Sequence, residues 1–172
     1  MNSNEIILFS LLTIVLVIAA VNDIRFHKIP NWLTYPSIII GIFYNTINTG
    51  FNGLLFSIGG LGVGIGVMIL FYLMAGTGAG DVKLMGAVGG FLGPKGAFIA
   101  FLSTSIVGGI YAVVLLVLHG YLNRYWAILK TFTLTKQFIY NPPSNGEEKP
   151  KLYYGVAIAL GTIISVVLGL NI

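Results

Sequence analysis

No cysteine occurs in the 172 residues, which excludes disulfides, thiol catalysis and cysteine-bound zinc. Charge is scarce too: Asp, Glu, Lys and Arg make up 8% of the chain, against roughly 25% in an average soluble domain. There is no His-Glu-x-x-His zinc motif and no Gly-x-Ser-x-Gly nucleophile elbow. His27 and His119 lie beside connections between apolar runs, where a histidine reads as a surface residue rather than a base. Of the 5 acidic residues only two are aspartates, Asp23 and Asp81.

What the chain does have is apolar surface. Hydrophobic residues are 56% of it, more than a globule of this size can bury, because surface grows nearly with mass in small proteins. Lipid must cover much of the remainder. The composition is that of an all-α integral membrane protein. A net charge of +4 would suggest nucleic acid in a soluble chain, but the basic residues sit between apolar runs, where membrane topology accounts for them. No nucleic-acid partner is expected.

A spanning helix needs about 20 apolar residues. Six runs qualify or come close: 6–21, 34–47, 54–75, 82–92, 97–118 and 153–170. The second and fourth are short. The first follows Met-Asn-Ser-Asn-Glu, without the positive n-region or small-residue cleavage site of a removable signal, so it is expected to be a retained span. With the N-terminus outside, Arg25, Lys28, Lys83, Arg124, Lys130, Lys136, Lys149 and Lys151 fall in inner connections, and Lys95 alone in an outer one. That eight-to-one division is a positive-inside signal for a multi-pass protein of the cytoplasmic membrane. It places Asp23 and Asp81 on the same, cytoplasmic face. The long cytoplasmic connection, about 119–152, is expected to begin with an interfacial helix bearing Leu122, Tyr125, Trp126, Leu129 and Phe132 on one face. A polar, turn-rich loop follows at 141–150. No internal repeat or boundary is evident, so 1–172 reads as one domain.

The two aspartates occupy distinctive ground. Asp23 ends the first run; Pro30 then stops any continuation, and Asn31 is expected to N-cap the second helix. Asp81 ends Gly76-Thr77-Gly78-Ala79-Gly80-Asp81, whose glycines disfavour helix and place Asp81 at or just before the start of the fourth helix. The same glycines remove side-chain bulk, so an extended peptide could come close to the carboxylate. Gly78, Gly80 and Lys83 are therefore candidate substrate-binding residues, with Lys83 equally suited to the inner headgroups. Irregular backbone at this depth requires surrounding protein or a wet cavity. On helix poles alone, Asp81 is expected to act as the base and Asp23 as the acid. Taken singly, each acid has a plainer reading, as a boundary residue or a helix cap. Together, on one face, with glycines beside one of them, they read as a paired carboxylate site.

These segments resemble the GxGD aspartyl peptidases of membranes, and specifically the prepilin peptidases. The resemblance rests on Asp23 followed by Ile29-Pro30-Asn31-x-Leu33-Thr34, on Gly78-Ala79-Gly80-Asp81-Val82-Lys83-Leu84-Met85, and on Tyr154-Gly155-Val156-Ala157-Ile158-Ala159-Leu160-Gly161. It implies a six-helix GxGD fold with catalytic Asp23 and Asp81, and removal of basic leader peptides from type IV pilin-like precursors at the cytoplasmic face. Tyr153 stands where the family often has proline. Larger, bifunctional members carry cysteine pairs in an N-terminal segment and also N-methylate their product. This chain is most similar to the small, peptidase-only members of the tight-adherence (Flp-like) type, and no methylation is expected. The mechanism expected is general acid–base hydrolysis without metal or organic cofactor. The alternative is a proton- or cation-coupled transporter with the two acids as relay sites. Against it, there are no paired halves, and both acids lie near one surface.

Glycines also pattern the apolar runs. Gly60-x3-Gly64 and Gly62-x3-Gly66 in the third run, with Gly86-x3-Gly90 and Gly89-x3-Gly93 in the fourth, are small-x3-small pairs expected at close helix crossings.

Overall fold

The computed structural model describes residues 3–75, 78–118 and 152–169. The expected interfacial helix and polar loop, and His119, lie outside the described residues. All regular elements among those described are helices: α1 (Ser3–Phe26), α2 (Asn31–Thr49), α3 (Phe51–Ala75), α4 (Ala79–Leu118) and α5 (Tyr154–Val167). Three are long and apolar enough to cross a membrane, over Glu5–Phe26, Phe51–Leu73 and Ala79–Leu118, while Tyr154–Val167 is a shorter apolar helix. Large apolar side chains stand exposed on these helices, among them Ile14, Val17, Ile39, Phe43, Ile58 and Leu70, as a lipid-facing surface requires.

The described chain divides into two compact units, Met1–Gly108 with Tyr153–Ile172, and Gly109–Leu152. In the second, the described residues are the end of α4, 109–118, and Leu152. The first holds everything that follows.

Helix α1 is apolar nearly all round, yet one stripe is buried: Leu8, Leu12, Leu16, Ala19 and then Asp23. Spacings of four, four, three and four put these on one helix face. The acid therefore continues a core stripe on a helix that packs against α5 and α2.

Helix α4 is broken. Gly93 has φ 70° and ψ −175° just before Pro94, so the expected runs 82–92 and 97–118 fall on either side of a kink. Positive φ suits glycine, and proline offers no N–H to the carbonyl four residues back, Gly90. The donor comes instead from α2. Asn45 Nδ2 donates to Gly90 O and Phe91 O, both at 3.2 Å, and to Ser57 Oγ at 2.9 Å. Removing such a donor leaves buried carbonyls unpaired, at a cost of about 1–3 kcal/mol. Asn45→Ala is accordingly expected to lower the melting temperature in detergent. An unchanged value would mean that these carbonyls find other donors.

The stretch before the break is buried on almost every side, from Asp81 through Gly93. From Ala79 to Leu92 it would be ~21 Å long, short of a ~30 Å hydrocarbon core. Enclosed by protein, it has no need to match the lipid. Glycines bring α3 against it: a Cβ on Gly60 would meet the Gly89 carbonyl, and one on Gly64 the Met85 carbonyl. Gly62 and Gly66 face open space. Of the two interleaved glycine pairs on α3, only Gly60 and Gly64 lie at the crossing.

Candidate active site

Asp23 and Asp81 are both buried, at 8% and 7% exposure. Each is held through Oδ2 by a backbone N–H at the start of a helix. Asp81 is the third residue of α4; its carboxylate accepts from Gly78 N at 2.9 Å, while its own N–H donates to Gly78 O at 3.0 Å. The carboxylate supplies the N3 half of a capping box, and the Gly78 carbonyl stands in for the side chain that a glycine N-cap lacks. The helix starts at Ala79, so Gly80 is inside it, earlier than its glycines suggest. Gly80 is also a packing position, since a Cβ there would lie 3.0 Å from Ile29 Cβ. Buried Ile29 occupies the side-chain space that Gly80 leaves empty.

Asp23 Oδ2 accepts from Gly155 N at 2.8 Å, across 132 residues of sequence. Val156 N–H lies close enough to act on the carboxylate as well. A Cβ on Gly155 would stand 2.9 Å from both Cβ and Oδ2 of Asp23, so only glycine lets α5 start this close to the acid. Both carboxylates thus cap helix N-termini. Asp23 belongs to the C-terminal end of α1 but faces the positive pole of α5, which offsets the asymmetry expected from helix poles.

The two acids come near enough for the charge of Asp23 to act on Asp81. His27, just past the end of α1, acts electrostatically on Asp23. Its backbone is in the left-handed region at φ 50°. Its N–H donates to Asp23 O at 2.9 Å, and its ring stacks on Tyr153 with centroids 4.9 Å apart.

One neighbouring residue differs from expectation. Asn31 is not the N-cap of α2; Pro30 holds that position, and its carbonyl accepts from Leu33 N and Thr34 N. The Asn31 side chain is engaged elsewhere, accepting a 2.8 Å hydrogen bond from Lys83 Nζ. The same ammonium lies 4.9 Å from the Tyr35 ring centroid. Lys83 therefore ties the first turns of α4 to α2. Among the described residues, no three His, Cys, Asp or Glu side chains gather as metal ligands would.

Sequence reasoning did not find Ile29, His27, Tyr153 and Gly155 as parts of the site. The aromatic-glycine pair that opens α5 was a signal for Gly155, but nothing near it in sequence names Asp23 as its partner.

A model of the type IV leader peptidase family matches residues 10–113, a stretch that contains both aspartates and ends before Gly155. No curated protein and no solved structure gives a match.

Proposed function

This chain belongs to the type IV leader peptidase family, and on that premise we propose that it is an aspartic endopeptidase. In this reading it removes basic leader peptides from type IV pilin-like precursors at the cytoplasmic face of the membrane. The observation that carries it is a pair of buried aspartates, each fixed by a helix-start N–H group, with the charge of Asp23 acting on Asp81. Two carboxylates brought together over one water would share a proton and titrate as a unit.

The pair can hydrolyse a peptide without a covalent intermediate. One carboxylate takes a proton from water as the oxygen attacks the scissile carbonyl carbon. The other, protonated, gives its proton to the carbonyl oxygen, forming a gem-diol. The amide nitrogen is then protonated by the first acid, the C–N bond breaks, and the proton on the diol returns to the second. Exposed Gly78 and Ala79 beside Asp81 offer backbone along which an extended substrate could lie, with Gly78, Gly80 and Lys83 as its binding residues.

The surrounding arrangement we propose is one peptidase domain, 1–172, with six spans once α4 is counted on either side of Gly93. The N-terminus is outside and the acids inside, as the basic residues argue.

Co-expression with pilin-like precursors tests the reading. Leader removal should appear as a gel shift, with N-terminal sequencing placing the new terminus at the leader junction. Precursors left intact beside folded, membrane-inserted protein would contradict it.

A further inference from the structure

The hydrolytic reading leaves unexplained how α5 is held so that its N–H groups meet Asp23. The N-cap residue of α5, Tyr153, with φ −87° and ψ 82°, makes no cap bond with its own side chain. What reaches it from α1 is the ring of His27, stacked on the Tyr153 ring at an interplanar angle of 15°. Four contacts then form a closed circuit. The Asp23 carbonyl accepts from His27 N; the His27 ring stacks on Tyr153; Tyr153 leads into Gly155; and Gly155 N donates back to the Asp23 carboxylate. The left-handed turn at His27 aims the ring toward α5, and histidine is among the non-glycine residues that tolerate that conformation.

We propose that His27 and Tyr153 form a stacking latch that sets the position of the Asp23 carboxylate for peptide hydrolysis. Both are positioning residues, acting through Gly155 N–H. This inference rests on Asp23 taking part in cleavage. The contribution is made by ring against ring, so it requires neither the imidazole proton nor the phenol hydroxyl.

Stacked aromatic pairs are worth about 0.5–1.5 kcal/mol, which corresponds to about three- to tenfold in rate. The test uses the full chain in detergent and a fluorescence-quenched peptide with a basic leader, a glycine and an apolar stretch. Tyr153→Leu should lower kcat by about three- to tenfold with KM little changed, and Tyr153→Phe should restore it. His27→Asn, which keeps the left-handed backbone but removes the ring, should lower kcat to the same degree. The double variant should be no slower than either single one, because one contact is lost in each. The exposed position of His27 makes His27→Asn informative even if Tyr153→Leu folds poorly. The latch is overturned if Tyr153→Phe is as slow as Tyr153→Leu, if the two losses multiply, or if both single variants cleave at the parent rate while Asp23→Asn is inactive. Full cleavage by Asp23→Asn would overturn the hydrolase assignment, and the latch with it.

Discussion

Asp81→Asn and Asp23→Asn should each reduce leader cleavage by about a hundred- to ten-thousand-fold, the range associated with losing a positioned acid or base, while leaving the protein folded. The choice of asparagine matters. Each carboxylate has a structural duty beside its proposed chemical one: Asp81 receives Gly78 N–H, and Asp23 receives Gly155 N–H. An asparagine side chain keeps an acceptor oxygen for those bonds but can neither take a proton from water nor give one to the substrate. Alanine would remove both duties and confuse lost chemistry with a lost cap. The measurement is kcat on a leader peptide, paired with a melting curve of the same preparation. A variant that melts normally and does not cleave separates catalysis from capping. A variant that melts normally and cleaves at the parent rate shows that its acid only caps a helix.

The second large effect concerns the crossing that holds α4 in place. Gly60→Ala and Gly89→Ala each put a methyl group against backbone of the facing helix. Backbone cannot rotate away as a side-chain end can, so α3 and α4 must separate. Overpacking of this kind costs about 1–3 kcal/mol or more, and it displaces the segment that carries Asp81. Loss of melting temperature and loss of cleavage should therefore appear together. Gly62→Ala and Gly66→Ala, on the same helix with open space before them, should be close to neutral. If all four variants behave alike, the crossing has been assigned to the wrong glycines.

That contrast marks a limit of the sequence. Gly60-x3-Gly64 and Gly62-x3-Gly66 are the same pattern two residues apart, roughly 200° around a helix. In a helix that is apolar on all faces, nothing local tells lipid from a neighbouring helix. The same ambiguity hides the Leu8–Leu12–Leu16–Ala19–Asp23 stripe on α1, because the exposed faces of that helix are just as apolar. Helical character and membrane class were legible, since they depend on composition and run length. The two acids stood out through scarcity. Their surroundings did not, because Gly155 lies 132 residues from Asp23 and Ile29 about fifty from Gly80. Asn31 shows a third kind of failure. Local rules offer it as a helix cap, but Lys83 competes for the same oxygen from another helix and takes it. The fourth run is short for a reason the fold explains: it is enclosed by protein and free of the length that lipid imposes.

Whether Asp23 and Asp81 share one site in the membrane can be measured directly, because the chain has no cysteine of its own. Protein carrying both Asp23→Cys and Asp81→Cys should be joined internally by a short thiol-to-thiol reagent in native membranes. Protein carrying Asp23→Cys and Lys95→Cys, with the second thiol at the far end of the buried α4 segment, should not. Equal failure of both pairs, with every thiol reactive toward a monofunctional label, would contradict the paired-carboxylate account.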